Sequence, residues 1–186
     1  MMRKTRAVLP ALLALAMTVA AGCGGDASTV ESEPAVGNPT DRAFVAAMIT
    51  HHRSAVDMAA VASQEGDSQF VKDLAADITR SQNAEIEEME RIDAQLADAG
   101  IEMGDAGMAG QTMGMDMEMS ADALRGAKPF DEKFIAMMVP HHESAIEMAE
   151  MQLEQGSNPE LMQLAEEIIA AQEREVKAMR DAEPGA

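Results

Sequence analysis

Two histidine pairs, His51-His52 and His141-His142, hold all four histidines of this 186-residue chain. Met48 stands three and four residues before the first pair, and Met58 stands two turns after His51. Met138 and Met148 hold the same places around the second pair. On a helix with about 100° per residue, Phe44, Met48, His51, His52, Ala55, Met58, Ala59 and Ala62 share one arc of about 120°. Both histidines of a pair then face the interior, beside thioethers. Imidazole with thioether sulfur suits Cu(I) and, with more imidazole or oxygen, Cu(II); Zn and Fe(II) seldom take methionine.

The next helical stripe holds Val71, Leu74, Ala75, Ile78, Gln82, Glu85, Met89, Ile92 and Leu96. Gln82 and Glu85 are polar intrusions on it, and they recur as Gln172 and Glu175. Buried polar groups need partners. These four are read as additional ligands, or as groups that hold the ligands. The alternative is a buried polar layer without metal, in which they satisfy histidine N–H groups. Asp57 and Glu147 fall on the outer side of their helices and read as solvated. Between the two histidine segments lies a methionine-rich stretch with Met103, Met108 and then Met113, Met115, Met117 and Met119. It has no imidazole, so it would favour Cu(I) or Ag(I); the plainer reading is a Met/Gly linker. Inward Met89, Met162 and Met179 read as core.

The elements that must position these residues are written twice. Sliding the chain by 90 residues overlays 41–91 on 131–181 without a gap, and 17 of the 51 positions are identical. Each repeat reads as a helical hairpin: 41–64 with 68–97, and 131–155 with 158–180. Gly66 and Gly156 stand at the breaks, and Asn158-Pro159 reads as a helix start. Pro140 should kink the third helix. The expected fold class is all-α: a four-helix bundle of ferritin-like topology, made of two hairpins joined by the long connection at 99–130. Ser120 would cap a short helix within that connection. Composition agrees: four Phe, no Trp and no Tyr disfavour a β-sandwich or barrel. A net charge of −19 excludes nucleic acid as a partner and favours cations.

Residues 1–22 read as a signal peptide: Arg3, Lys4 and Arg6, then an apolar run to Ala21. The run ends Ala20-Ala21-Gly22-Cys23, as in the lipobox of bacterial lipoproteins, although the usual Leu three before the cysteine is Ala. Cys23 would then be lipidated and anchor the protein to a membrane on its extracytoplasmic side, in the periplasm or at the cell surface. Removal of 1–22 takes three basic residues and no acid, which leaves −22. Residues 23–40 read as a flexible tether and 41–182 as the domain. Cys23 is the only cysteine, so no intramolecular disulfide forms.

The segments Asp41–Ala59 and Phe130–Ala149, each with a downstream Gln-x-x-Glu-Ile/Val-x-x-Met, resemble the family known as domain of unknown function 305. The resemblance spans about residues 40–182. It departs where many members carry Trp-Leu after the helix-two methionine; this chain has Glu90-Arg91. It implies an exported ferritin-like four-helix protein, and a copper role for Met48, His51, His52, Met58, Met138, His141, His142 and Met148. The expected function is non-catalytic binding of copper or silver ions for sequestration, tolerance or trafficking, with a donor or acceptor protein as partner. The alternatives are a ferritin-like di-iron oxidoreductase, for which no Glu-x-x-His motif occurs in the helices, and a metal-free structural or interaction module.

Overall fold

The structure is a computed structural model and describes residues 36–105 and 120–182. Cys23, Met108, Met113, Met115, Met117 and Met119 lie outside the described residues. The described chain is all-α, with helices α1 (Pro39–Glu65), α2 (Gln69–Asp98), α3 (Ala121–Leu124), α4 (Phe130–Gln155) and α5 (Pro159–Ala182). None of these is long and apolar enough to cross a membrane.

Local chemistry sets the helix ends. Asn38 caps α1 through a reciprocal box: its side chain accepts from the Asp41 amide at 3.1 Å, and Asp41 accepts from the Asn38 amide at 2.7 Å. The fold therefore begins before residue 41. Val36 belongs to it as well, because its carbonyl accepts from Asn158 Nδ2 at 2.7 Å. Ser68 caps α2 by accepting from the Val71 amide at 3.2 Å. Asn158 caps α5 by accepting from the Leu161 amide at 2.9 Å. Ser120 precedes α3, yet its hydroxyl makes no capping bond. Gly66 ends α1 with φ −53°, so it is not the left-handed cap expected of a helix-terminal glycine. Glycine is required there for a steric reason: a Cβ would lie 2.7 Å from the Ala62 carbonyl oxygen. Helix α4 runs through Pro140 without a break.

Helices α1 and α2 form one hairpin and α4 and α5 the other; the hairpins meet through α1 with α4 and α2 with α5. The core divides in two. One apolar cluster contains Met58, Ile78, Phe130, Phe134, Met138 and Met179; the other contains Phe44, Met48, Met89, Leu96, Met148 and Ile168. Each cluster thus takes the methionine that precedes the histidines in one repeat and the one that follows them in the other. Met89 and Met179 are core as expected, whereas Met162 is only half-buried.

The two hairpins clamp each other. Asp131, at the start of α4, accepts from the Asp67 and Ser68 amides at 2.8 Å each, which closes the turn into α2. Asp41, its repeat mate, accepts from the Ser157 and Asn158 amides at 3.0–3.2 Å, which closes the turn into α5. Burial opposes ionisation of Asp131, but hydrogen bonds from Ser68 and Asp67 outweigh it and hold the carboxyl below its usual range. Asp41 is fully buried and also accepts from Gln152 Nε2 at 2.6 Å. The repeat mate of Gln152 is Ala62, which has no amide to offer.

A second pairing recurs with its signs exchanged. Arg53 on α1 pairs with Glu90 on α2, and in repeat two Glu143 on α4 pairs with Arg180 on α5. Glu90-Arg91 also explains the departure from Trp-Leu: Arg91 reaches Glu88 on its own helix and Glu160 on α5, so exposed ion pairs occupy this position.

Candidate metal centre

All four histidines lie between the two apolar clusters and are buried. His51 and His141 meet across the hairpin interface, with ring centroids 3.9 Å apart and planes tilted by 47°. Their chain neighbours stand further off, at 6.3 Å from His51 to His52 and 6.4 Å from His141 to His142.

The outer pair of rings is anchored. His52 Nε2 lies 2.7 Å from Glu85 Oε2, and His142 Nε2 lies 2.6 Å from Glu175 Oε2. An ionised carboxylate only accepts, so Nε2 carries the hydrogen and, in a neutral ring, Nδ1 keeps the lone pair. Both Nδ1 atoms are buried and have no partner among the described residues. A carboxylate gripping one ring nitrogen while the other stays free is the usual support of a metal-binding imidazole. The inner rings are less tied. His51 Nε2 lies 3.3 Å from Ser144 Oγ, its Nδ1 has no partner, and neither nitrogen of His141 has one.

Burial, helped by the neighbouring His52 and His142, pushes the pKa of His51 down to about 3. Burial, with His51, His142 and His52 adding, also lowers His141 well below its ordinary value. Both rings are therefore neutral near pH 7, the form that can ligate. Met48, Met58, Met138 and Met148 are fully buried, in the clusters on either side of the layer.

Gln82 and Gln172 are also buried, and neither amide has any partner among the described residues. Asp57 and Glu147 are exposed, as expected. Ser144 and Asp41 were missed by the sequence reading. Ser54/Ser144 and Asp41/Asp131 are identical pairs in the repeat overlay, which was the available signal.

Among the described residues, no three His, Cys, Asp or Glu side chains converge as a preformed cage for an ion. The two carboxylates are occupied by His52 and His142, and the remaining soft donors are thioethers. Such a donor set offers little to a hard cation. Its free, neutral imidazole nitrogens and its sulfurs match copper or silver.

No curated protein matches the sequence. Among solved structures, CopM in its Cu(I)-bound form is 33% identical, with 76% of this chain and 93% of CopM covered at a TM-score of 0.63. CopM in its Cu(II)-bound form is 35% identical over the same shares, at 0.64. A DUF305 fragment from Deinococcus radiodurans is 30% identical, with 80% and 97% covered, also at 0.64. The family described as Domain of unknown function (DUF305) matches residues 16–93 and 41–183. The chain belongs to the DUF305 family.

Proposed function

We propose that this protein binds copper ions in its interior through His51, His52, His141 and His142, with Met48, Met58, Met138 and Met148 as thioether donors, and that it does so as a non-catalytic carrier or sink. Copper is cargo in this reading. One observation carries it: four buried histidines gather in a single layer, and five of their ring nitrogens lack a hydrogen-bond partner among the described residues. Leaving buried polar atoms unpaired destabilises a fold, so such a concentration of them marks a place built for something else to bind. The copper- and silver-bound forms of CopM support the choice of metal.

The helices then act as a ferritin-like four-helix bundle whose repeats bring the histidine pairs to one centre. Cys23 anchors the chain to the outer side of a membrane as a lipoprotein. Met113, Met115, Met117 and Met119 form a separate soft-metal segment, selective for Cu(I) or Ag(I). Cu(II) and Cu(I) both suit the histidine layer.

The metal-free reading has one observation in its favour, the Glu85–His52 and Glu175–His142 pairs, which satisfy two imidazoles without any ion. Replacing all four histidines separates the two. Cu(II) binding should collapse, while Cu(I) binding persists in part and disappears only when the four loop methionines are also replaced. Full retention of Cu(II) binding by the four-histidine variant would overturn the proposal.

A further inference from the structure

Two buried glutamines have no work in the copper reading above. Gln82 and Gln172 are each 2% exposed, and among the described residues neither the oxygen nor the nitrogen of either amide meets a partner. Most buried amides in folded proteins are satisfied. The same defect at two repeat-related positions, 90 residues apart, belongs to the site and not to a single packing fault.

Their placement is defined by the glutamates. His52 pairs with Glu85 across the antiparallel α1/α2 hairpin. One turn back along α2, about 4.5 Å, comes Gln82 on the same buried face. Carrying the register one turn along both helices sets Gln82 opposite Ala55. The second hairpin repeats this, with Gln172 opposite Ala145. Both alanines are fully buried and small. The polar layer therefore contains two kinds of oxygen. Glu85 and Glu175 each engage one oxygen with His52 and His142, while among the described residues neither glutamine oxygen has a partner.

Resting on the copper reading, we infer that Gln82 and Gln172 supply neutral oxygen donors for Cu(II) in the histidine layer, and so set which oxidation state it accepts. Cu(I) is served by imidazole and thioether alone. Cu(II), the harder ion, gains from an oxygen beside imidazole. A neutral amide suits this interior better than a carboxylate, because it brings no charge to be buried when the site is empty. Glu85 and Glu175 are positioning residues; Gln82 and Gln172 are ligands.

The test replaces both glutamines by leucine, which keeps the bulk, removes the amide and adds no donor. The full chain is titrated with Cu(II) and, under reductant, with Cu(I), each against a competing chelator. Cu(II) affinity should fall at least about tenfold, the scale of lost metal-supporting contacts, with Cu(I) affinity held within about twofold. The apo variant should melt no lower than wild type, because an unpartnered buried amide has been removed. Unchanged Cu(II) affinity overturns the inference. Should Gln82→Leu/Gln172→Leu fail to fold, Gln82→Glu/Gln172→Glu decides. It keeps an oxygen of the same reach and should hold Cu(II) at least as tightly as wild type; weaker binding overturns the inference. The four-histidine variant is run in parallel. If it retains Cu(II), the copper reading itself falls. If it loses Cu(II) while the Gln→Leu variant keeps it, only the role of the glutamines falls.

Discussion

Asp41 and Asp131 make the same clamp in two different surroundings, and this gives a sharp test of what holds the hairpins together. Asp41→Ala strands the amides of Ser157, Asn158 and Asn38 and the side-chain amide of Gln152. Of these, Asn158 and Gln152 belong to buried residues. A buried donor left without an acceptor costs roughly 1–3 kcal/mol, so Asp41→Ala should destabilise by about 3–5 kcal/mol. Asp131→Ala strands the Asp67 and Ser68 amides, beside a carboxylate that is half-open to water. Water can replace that acceptor, and the loss should be about 1–2 kcal/mol, as for an ordinary helix cap. Urea unfolding followed by circular dichroism measures both. The cause of the difference can be isolated by adding Gln152→Ala, which installs the alanine that repeat one carries at position 62. In the Asp41→Ala background it removes a stranded amide and should restore about 1 kcal/mol, whereas in wild type it should destabilise. Equal losses for the two aspartates, or strict additivity with Gln152→Ala, would refute the reasoning.

Further expectations concern the site and the anchor. The folded-state pKa of His51, about 3, lies below its unfolded value of 6.5, so the unfolded chain takes up the proton first. Its contribution is fully present above about pH 6.5 and is lost as pH falls; at about pH 5 apo protein should be about 2 kcal/mol less stable from this ring alone. His141 acts in the same direction. Apo His51→Leu/His141→Leu should lose this slope in urea melts between about pH 7.5 and 5, and an unchanged slope would count against the buried neutral rings. Glu85→Gln/Glu175→Gln should weaken copper binding by about 10–100-fold with helix content intact, because the rings lose their anchors; competition titration with unaltered affinity would show the carboxylates to be idle. Cys23→Ala should move the protein from the membrane to the soluble fraction, and continued membrane association would remove the lipid anchor from the proposal.

The inward stripes were legible because burial repeats with the helical period. Val71, Leu74, Ala75, Ile78, Gln82, Met89, Ile92 and Leu96 are all buried, as the wheel requires, whereas Glu85 on the same arc is only partly buried and its neighbour Ile86 packs inward. Both histidines of each pair are buried for the same reason. Contacts between hairpins were not legible in that way. Asp41 stands in the first turn of α1 and pairs with Asn38 there, yet its other partners lie 111–117 residues away on the other hairpin. The exchange of Ala62 for Gln152 fixes which aspartate is buried, and no periodicity within one helix carries that information. The meeting of His51 with His141 is intermediate. Identical repeats implied a shared interior, but only the packing of α1 on α4 brings those two rings closer to each other than to their chain neighbours. Gly66 stands at the helix end its place in the sequence implies, and close approach to the Ala62 carbonyl, not backbone handedness, requires glycine there.

On the copper reading, attraction and selection are separated in space. The chain carries 33 acidic against 14 basic residues, and Asp57, Glu87, Glu90, Glu147 and Glu167 are exposed on the helices. Such a surface draws cations of every kind, because a field of carboxylates reads charge and little else. The interior reverses the criterion. The charged carboxylates nearest the histidines are held by hydrogen bonds, and the atoms left without partners are imidazole nitrogens and amides beside buried thioethers. Hard, strongly hydrated cations such as Mg²⁺ are concentrated outside but find no oxygen cage among the described residues. A soft or borderline ion finds donors that need not be stripped of a competing charge. Selectivity therefore rests on what the core leaves unsatisfied. The two apolar clusters on either side of the layer keep those groups in place and out of water, where each would otherwise be hydrated.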